Sequence, residues 1–162
     1  MEHARQYLLS KPEAFEDYPF RLNVAVFKIR KKMFATLSER NGHWQMNLKC
    51  DPIEASVLRD VFAAVLPGYH MNKAHWNTLV LDGSMPASDI ERMIDNSYAL
   101  VVKGLARLER RQLTLRYTTV QLFGERHAVT NSAADAKGFL KAPAKDFVNA
   151  HAKAIVKAAP KR

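Results

Sequence analysis

Trp44-Gln45-Met46-Asn47-Leu48-Lys49-Cys50-Asp51-Pro52-Ile53-Glu54 is the stretch that decides the fold. Trp44, Met46 and Leu48 alternate with Gln45, Asn47 and Lys49, so a strand here has one apolar and one polar face. Directly afterwards the period changes. Asp51 is placed to cap a helix, and Pro52 suits the first helical position, where its missing N–H costs nothing. Glu54 extends the capping pattern, and Ile53, Val57, Leu58, Val61 and Phe62 recur at helical spacing. A half-buried strand that runs straight into a capped amphipathic helix calls for a sheet packed against helices.

Working outward, Asn41-Gly42 is a hairpin signal that joins this strand to Met33-Phe34-Ala35-Thr36-Leu37-Ser38. Arg30-Lys31-Lys32 makes a second, basic tip, preceded by the strand Val24-Ala25-Val26-Phe27-Lys28-Ile29. Downstream, a fourth strand starts near Trp76 and closes on Asp82-Gly83. Ser88 then opens a long helix, with Ile90, Met93, Ile94, Ser97, Tyr98, Val101 and Val102 on one face and an end near Leu105. Residues 2–10 read as a short helix, broken because the residue before Pro12 avoids the helical region. Asp17-Tyr18-Pro19-Phe20 reads as a loop. The expected order is helix, three strands, helix, strand, helix, an α+β fold with an antiparallel sheet.

Past Leu105 the pattern changes. Residues 106–111 prolong the helix, residues 112–123 have strand propensity with partial alternation but read equally as an ordered arm, and 131–135 is loop-like. Residues 143–159, rich in Ala and Lys, read as a last helix. The expected division is a domain over 1–105 and a basic C-terminal extension over 106–162.

With 48% hydrophobic residues among 162, the chain has enough apolar material for a sizeable core. No apolar run reaches the ~20 residues of a membrane helix. The start, Met1-Glu2-His3-Ala4-Arg5-Gln6, is not a secretory signal. Cys50 is the single cysteine, which excludes an internal disulfide and argues against a Cys-based zinc site. A cytoplasmic location is expected, with no membrane partner. Residues 1–105 carry 13 Lys/Arg against 12 Asp/Glu, and residues 106–162 carry 12 against 4. The basic excess is thus C-terminal and points to an anionic partner for that part.

Four groups of residues occur in a recognisable order. They are Phe27-Lys28 with Met33-Phe34-Ala35; Leu48-Lys49-Cys50-Asp51-Pro52; Pro67-Gly68-Tyr69-His70-Met71-Asn72-Lys73-Ala74-His75-Trp76-Asn77-Thr78; and Leu81-Asp82-Gly83-Ser84. On these residues, over about 3–105, the chain resembles the MmcQ/YjbR family of small bacterial proteins. The resemblance implies a frataxin/CyaY-like α+β fold, with a twisted antiparallel sheet packed on helices. It also implies a double-wing arrangement, from which the family takes its DNA-binding label. It implies nothing about the extension.

Two sets of candidate residues follow. Lys28, Arg30, Lys31 and Lys32 at the first hairpin, with Arg110 and Arg111 beyond the long helix, are placed to meet phosphates without reading sequence. The competing reading is a solvated, aggregation-resistant hairpin tip. The second set is His70, Asn72, Lys73, His75 and Trp76, a site for a small anionic ligand or a protein partner. Here the competing reading is structural, because Asn and His side chains pin loops, and Trp76 is expected to lie half-buried against the last helix. No nucleophile with a base and an orienting group is visible, so no catalytic residue is assigned. His70 and His75 are five apart with no carboxylate or cysteine pair beside them, so neither a metal nor a cofactor is expected. Cys50 ends a strand and is expected to be buried.

Overall fold

The computed structural model describes residues 1–20 and 23–124. The helix expected over 143–159 and the loop at 131–135 lie outside them. The elements are α1 (Glu2–Leu9), β1 (Ala14–Asp17), β2 (Val24–Ile29), β3 (Lys32–Arg40), β4 (His43–Lys49), α2 (Pro52–Val61), β5 (Val65–Pro67), β6 (Trp76–Val80), α3 (Ala87–Lys103), α4 (Arg107–Arg116) and α5 (Thr119–Phe123). The strands form one six-stranded sheet in the order β1-β2-β3-β4-β6-β5. Every neighbouring pair is antiparallel.

The two hairpins and the capped helix form where their residues place them. Asn41 and Gly42 both take positive φ, 53° and 76°, in a two-residue turn between Arg40 and His43. The Asp51 carboxylate accepts from the N–H groups of Ile53, at 3.0 Å, and Glu54, with Pro52 at the helix start. The alternation of β4 holds: Met46 and Leu48 are buried, together with Ala25, Phe27, Ala35, Leu37, Val65 and Leu79 from the neighbouring strands. Leu8, Leu58, Ile94, Tyr98 and Val102 close over them from the helices. All these strand residues share one face, the one that the described helices cover. On the other side Thr36, Asn47 and Thr78 stand in register across β3, β4 and β6. Asn47 donates to Thr36 Oγ1 at 3.0 Å and accepts from Thr78 Oγ1 at 2.6 Å.

One junction departs from a regular ladder. The β2–β3 register shifts at Phe27/Lys28, which leaves Phe34 as the extra residue of a bulge. The β3–β4 ladder ends at Ala35 opposite Leu48, so the next pair would join Phe34 and Lys49. The hydroxyl of fully buried Ser97, from α3, sits there instead. It donates to the Phe34 carbonyl at 2.5 Å and accepts from the Lys49 N–H at 2.8 Å. A helix side chain thus replaces a sheet bond and locks α3 to the sheet.

Four expectations need correction. Ala14–Asp17 is an edge strand paired with β2, so the loop expected at 17–20 begins one residue later, at Tyr18. Val65–Pro67 is a second edge strand, paired with β6. Pro67 fits there because an edge position does not require its missing N–H. The long helix does not run on through residues 106–111: it stops at Gly104, and α4 is a separate helix. Residues 112–123 are helical rather than extended. Their Thr and Val content favours strand, but Leu113 and Leu122 are fully buried in the core shared with α3. Burial of those two side chains outweighs local propensity.

Replacing Ser97 by Ala leaves the Phe34 carbonyl and Lys49 N–H unpaired in the interior, and should lower unfolding stability by about 2–3 kcal/mol. Leu113→Ala should cost about 3 kcal/mol, as for other core leucines. Urea unfolding of each variant measures both losses. An unchanged midpoint for Leu113→Ala would mean that α4 is not part of the cooperative unit.

Candidate functional site

Because all pairs are antiparallel, β2, β4 and β5 end, and β3 and β6 begin, at the same end of the sheet. The β2–β3 turn (Arg30 and Lys31) and the β5–β6 loop (residues 68–75) therefore emerge side by side. They are about three strand spacings apart, roughly 14 Å. The two sets of predicted residues sit on these two loops.

At the first loop most cations already have partners. Lys28 donates to Asp17 Oδ2 at 2.5 Å, and this bond holds the Asp17 carboxyl below its usual range. Arg30, at φ 55°, meets Glu13, at φ 52°, with 2.8 Å between guanidinium and carboxylate. The other Glu13 oxygen takes Arg116 of α4 at 3.3 Å. Lys32 donates to the carbonyl of Gly104 at the end of α3, where a cation also complements the helix dipole. Arg110 donates to the Lys103 carbonyl at 2.8 Å. Lys31 and Arg111 are exposed, with no partner among the described residues. Arg107, on α4, is likewise exposed and was missed by sequence reasoning. Its signal was present in the charge of the segment that follows Leu105. The contacts of Lys32 and Glu13 bring the hairpin and the start and end of α4, distant in sequence, next to each other.

The second loop is pinned from within. Gly68 N–H donates to the Trp76 carbonyl at 2.9 Å, His75 N–H to Asn72 O at 3.0 Å, and Cys50 N–H to His75 O at 2.8 Å. Asn72 Oδ1 accepts from the Ala74 N–H at 2.9 Å. Arg59 of α2 completes the tether: Nε donates to Asn77 Oδ1 at 2.9 Å and Nη2 to the Lys73 carbonyl at 2.7 Å. Nothing in the sequence pairs Arg59 with this loop, because the contact exists only once α2 lies beside β6. Asn77 and Asn72 are thus structural, whereas the side chains of His70, Lys73 and His75 are exposed. Asn77 engages α2, so Trp76, its neighbour along β6, belongs to the opposite face. Trp76 is half-buried as expected, and the last helix expected over 143–159 lies outside the described residues. Tyr69 N–H donates to Thr78 Oγ1 at 2.8 Å and so lays the loop over that face. There the Tyr69 ring lies under the Arg40 guanidinium, at 3.6 Å, and beside the His70 ring, at 4.0 Å.

Cys50 is buried, and desolvation pushes its thiol upward, so it stays protonated at neutral pH. It lines a small cleft between α2 and α3 that Asn96, donating to Glu54 at 3.0 Å, crosses. Asp82 closes the Asp-Gly turn, accepting from the Ser84 N–H at 2.9 Å and its hydroxyl at 2.6 Å.

A family model described as YjbR matches residues 9–100. The chain belongs to the YjbR family. Similar proteins of this family include the uncharacterized protein YjbR of Escherichia coli strain K12, 35% identical over 108 residues, which are 67% of this chain and 92% of that one. The uncharacterized protein YbdF of Escherichia coli O157:H7 is 33% identical over 69% of this chain and 92% of its own. The crystal structure of Deinococcus radiodurans protein DR2400 superposes with a TM-score of 0.63 at 34% identity, covering 68% of this chain and 84% of the other. The family match takes in both loops and ends before α4 begins. No helix among the described residues of this YjbR-family chain is long and apolar enough to cross a membrane.

The tight loop closure generates a test. A Cβ on Gly68 would lie 2.7 Å from Trp76 Cβ and 2.8 Å from the Trp76 carbonyl oxygen. Gly68→Ala should therefore destabilise the protein by about 1–3 kcal/mol and shift its tryptophan emission, both read in one fluorescence-monitored urea titration.

Proposed function

We propose that this chain is a nucleic-acid-binding protein, with DNA as the expected partner and the cytoplasm as its compartment. It would grip phosphates through the β2–β3 turn and α4. The observation that carries this reading is the joining of two basic segments, through Lys32 on the Gly104 carbonyl and through Glu13 between Arg30 and Arg116. Their contacts leave Lys31, Arg107 and Arg111 exposed on adjoining elements. Such cations displace counterions from a phosphate backbone and bind without reading bases.

The placement of the second loop supports the same reading. Two loops ~14 Å apart at one sheet end are on the scale of the DNA major groove, about 12 Å wide. They fit the two wings of a frataxin/CyaY-like double-wing protein. Lys28, Arg30, Lys32 and Arg110 would hold the patch in shape, while Lys31 and Arg111 touch the ligand. The charge of residues 106–162, 12 Lys/Arg against 4 Asp/Glu, favours an anionic partner as well.

The test is anisotropy of a labelled duplex across roughly 50–200 mM salt, with the double variant Lys31→Glu/Arg111→Glu. Wild-type binding should weaken steeply with salt. The variant should bind more weakly, with its log–log salt slope shallower by about 2, as for two lost phosphate contacts. Equal affinity and slope in both proteins would overturn the proposal.

A further inference from the structure

The geometry points to a second, chemically different site on the sheet face opposite the described helices: an exposed stacking platform for the unpaired bases of a single-stranded nucleic acid, formed by Arg40, Tyr69 and His70. It deepens the nucleic-acid reading by naming the form of the ligand, but uses residues outside the phosphate-binding patch.

Tyr69 is the middle layer of a stack: the Arg40 guanidinium and the His70 ring cover its two faces, so a base would meet the outer surfaces of Arg40 and His70, which Tyr69 holds in place. The Arg40 guanidinium lies 3.6 Å from the centroid of the Tyr69 ring. The His70 ring centroid is 4.0 Å from that of Tyr69, with the planes tilted by 56°. A ring clamped in this way inside a core would be packing. Here Tyr69 is 41% exposed, and Arg40 and His70 are exposed too. Exposed aromatic rings and arginine planes are what unpaired bases stack on, and stacking is insensitive to base identity.

The support beneath the platform is rigid. The Tyr69 N–H is bonded to Thr78, and Thr78 belongs to the bonded row Thr36-Asn47-Thr78 across three strands. His70 holds a left-handed φ of 54°, which a non-glycine residue keeps only when its surroundings impose it. A loop with so many internal bonds, and with its aromatic side chains turned outward, is built for display.

Charge selects the occupant. Arg40, His43, Lys28 and Lys49 occupy outward positions of the described strands, and Lys73 is exposed on the loop above. Among the described outward strand positions Asp17 alone is acidic, and it is paired with Lys28. A partner needs flat rings for the stack and an anionic thread for the surrounding cations. Single-stranded nucleic acid supplies both. A duplex hides its ring faces within the base stack.

The experiment compares a short labelled oligothymidylate with a strand of the same length whose bases are replaced by abasic sites, using the full chain. Wild type should bind the oligothymidylate roughly tenfold more tightly than the abasic strand, the effect of one stacked base. Tyr69→Ala and Arg40→Ala should lose that preference and keep the salt slope, whereas Tyr69→Phe should retain it. Wild type without a preference for the base-bearing strand would overturn the proposal. So would a preference that survives in both alanine variants. Lys31→Glu/Arg111→Glu separates this site from the phosphate patch, because it should weaken both strands equally and leave their ratio intact.

Discussion

The Ser97 hydroxyl, inserted between Phe34 and Lys49, is the contact on which the loop end of this protein depends. Antiparallel strands β3 and β4 would otherwise continue to pair beyond Ala35 and Leu48. A buried serine accepts and donates at once, so it can separate two strands and leave neither backbone group unsatisfied. It does so where β4 turns into α2 and where β3 leaves the basic turn. The position of α3 and the splay of the sheet are therefore one constraint, and both loops inherit their placement from it.

A second constraint is the economy of charge. Most cations of the basic patch are spent on internal partners: Lys28 on Asp17, Lys32 and Arg110 on helix-end carbonyls, Arg30 and Arg116 on Glu13. These bonds shape the patch and leave Lys31, Arg107 and Arg111 exposed. In the β5–β6 loop, backbone bonds and Arg59 hold the chain, so the exposed side chains are not needed to hold its shape.

How much of this was legible depended on the distance over which each signal acts. Asn41-Gly42 and Asp51-Pro52 specify their turn and cap through their own backbone preferences, so both were readable. The polar alternation of Gln45, Asn47 and Lys49 was readable as a face, but their bonding partners were not. Edge strand β1 was hidden because it is short and half-exposed. Residues 112–123 misled because β-branched residues predict extension, whereas Leu113 and Leu122 reach the core only from helices. Arg59 and Ser97 were invisible as determinants. Their partners are remote in the chain, and neither lies in a motif. The family, by contrast, was legible from four short groups of residues in order along the chain, while the platform around Tyr69 needs Arg40, which only the fold brings near.

Glu13 holds one carboxylate between two guanidinium groups, those of Arg30 and Arg116. Viewed from afar, this cluster has the field of a single positive charge, and at physiological salt even that fades within ~8 Å. Close up, each arginine still presents unshared N–H groups. On the proposed reading, long-range attraction of a polyanion would fall to the cations without a partner among the described residues, and the Glu13 cluster would act only after contact. Capture and registration of such a ligand would thereby be divided between two kinds of basic residue that the sequence writes with the same letters.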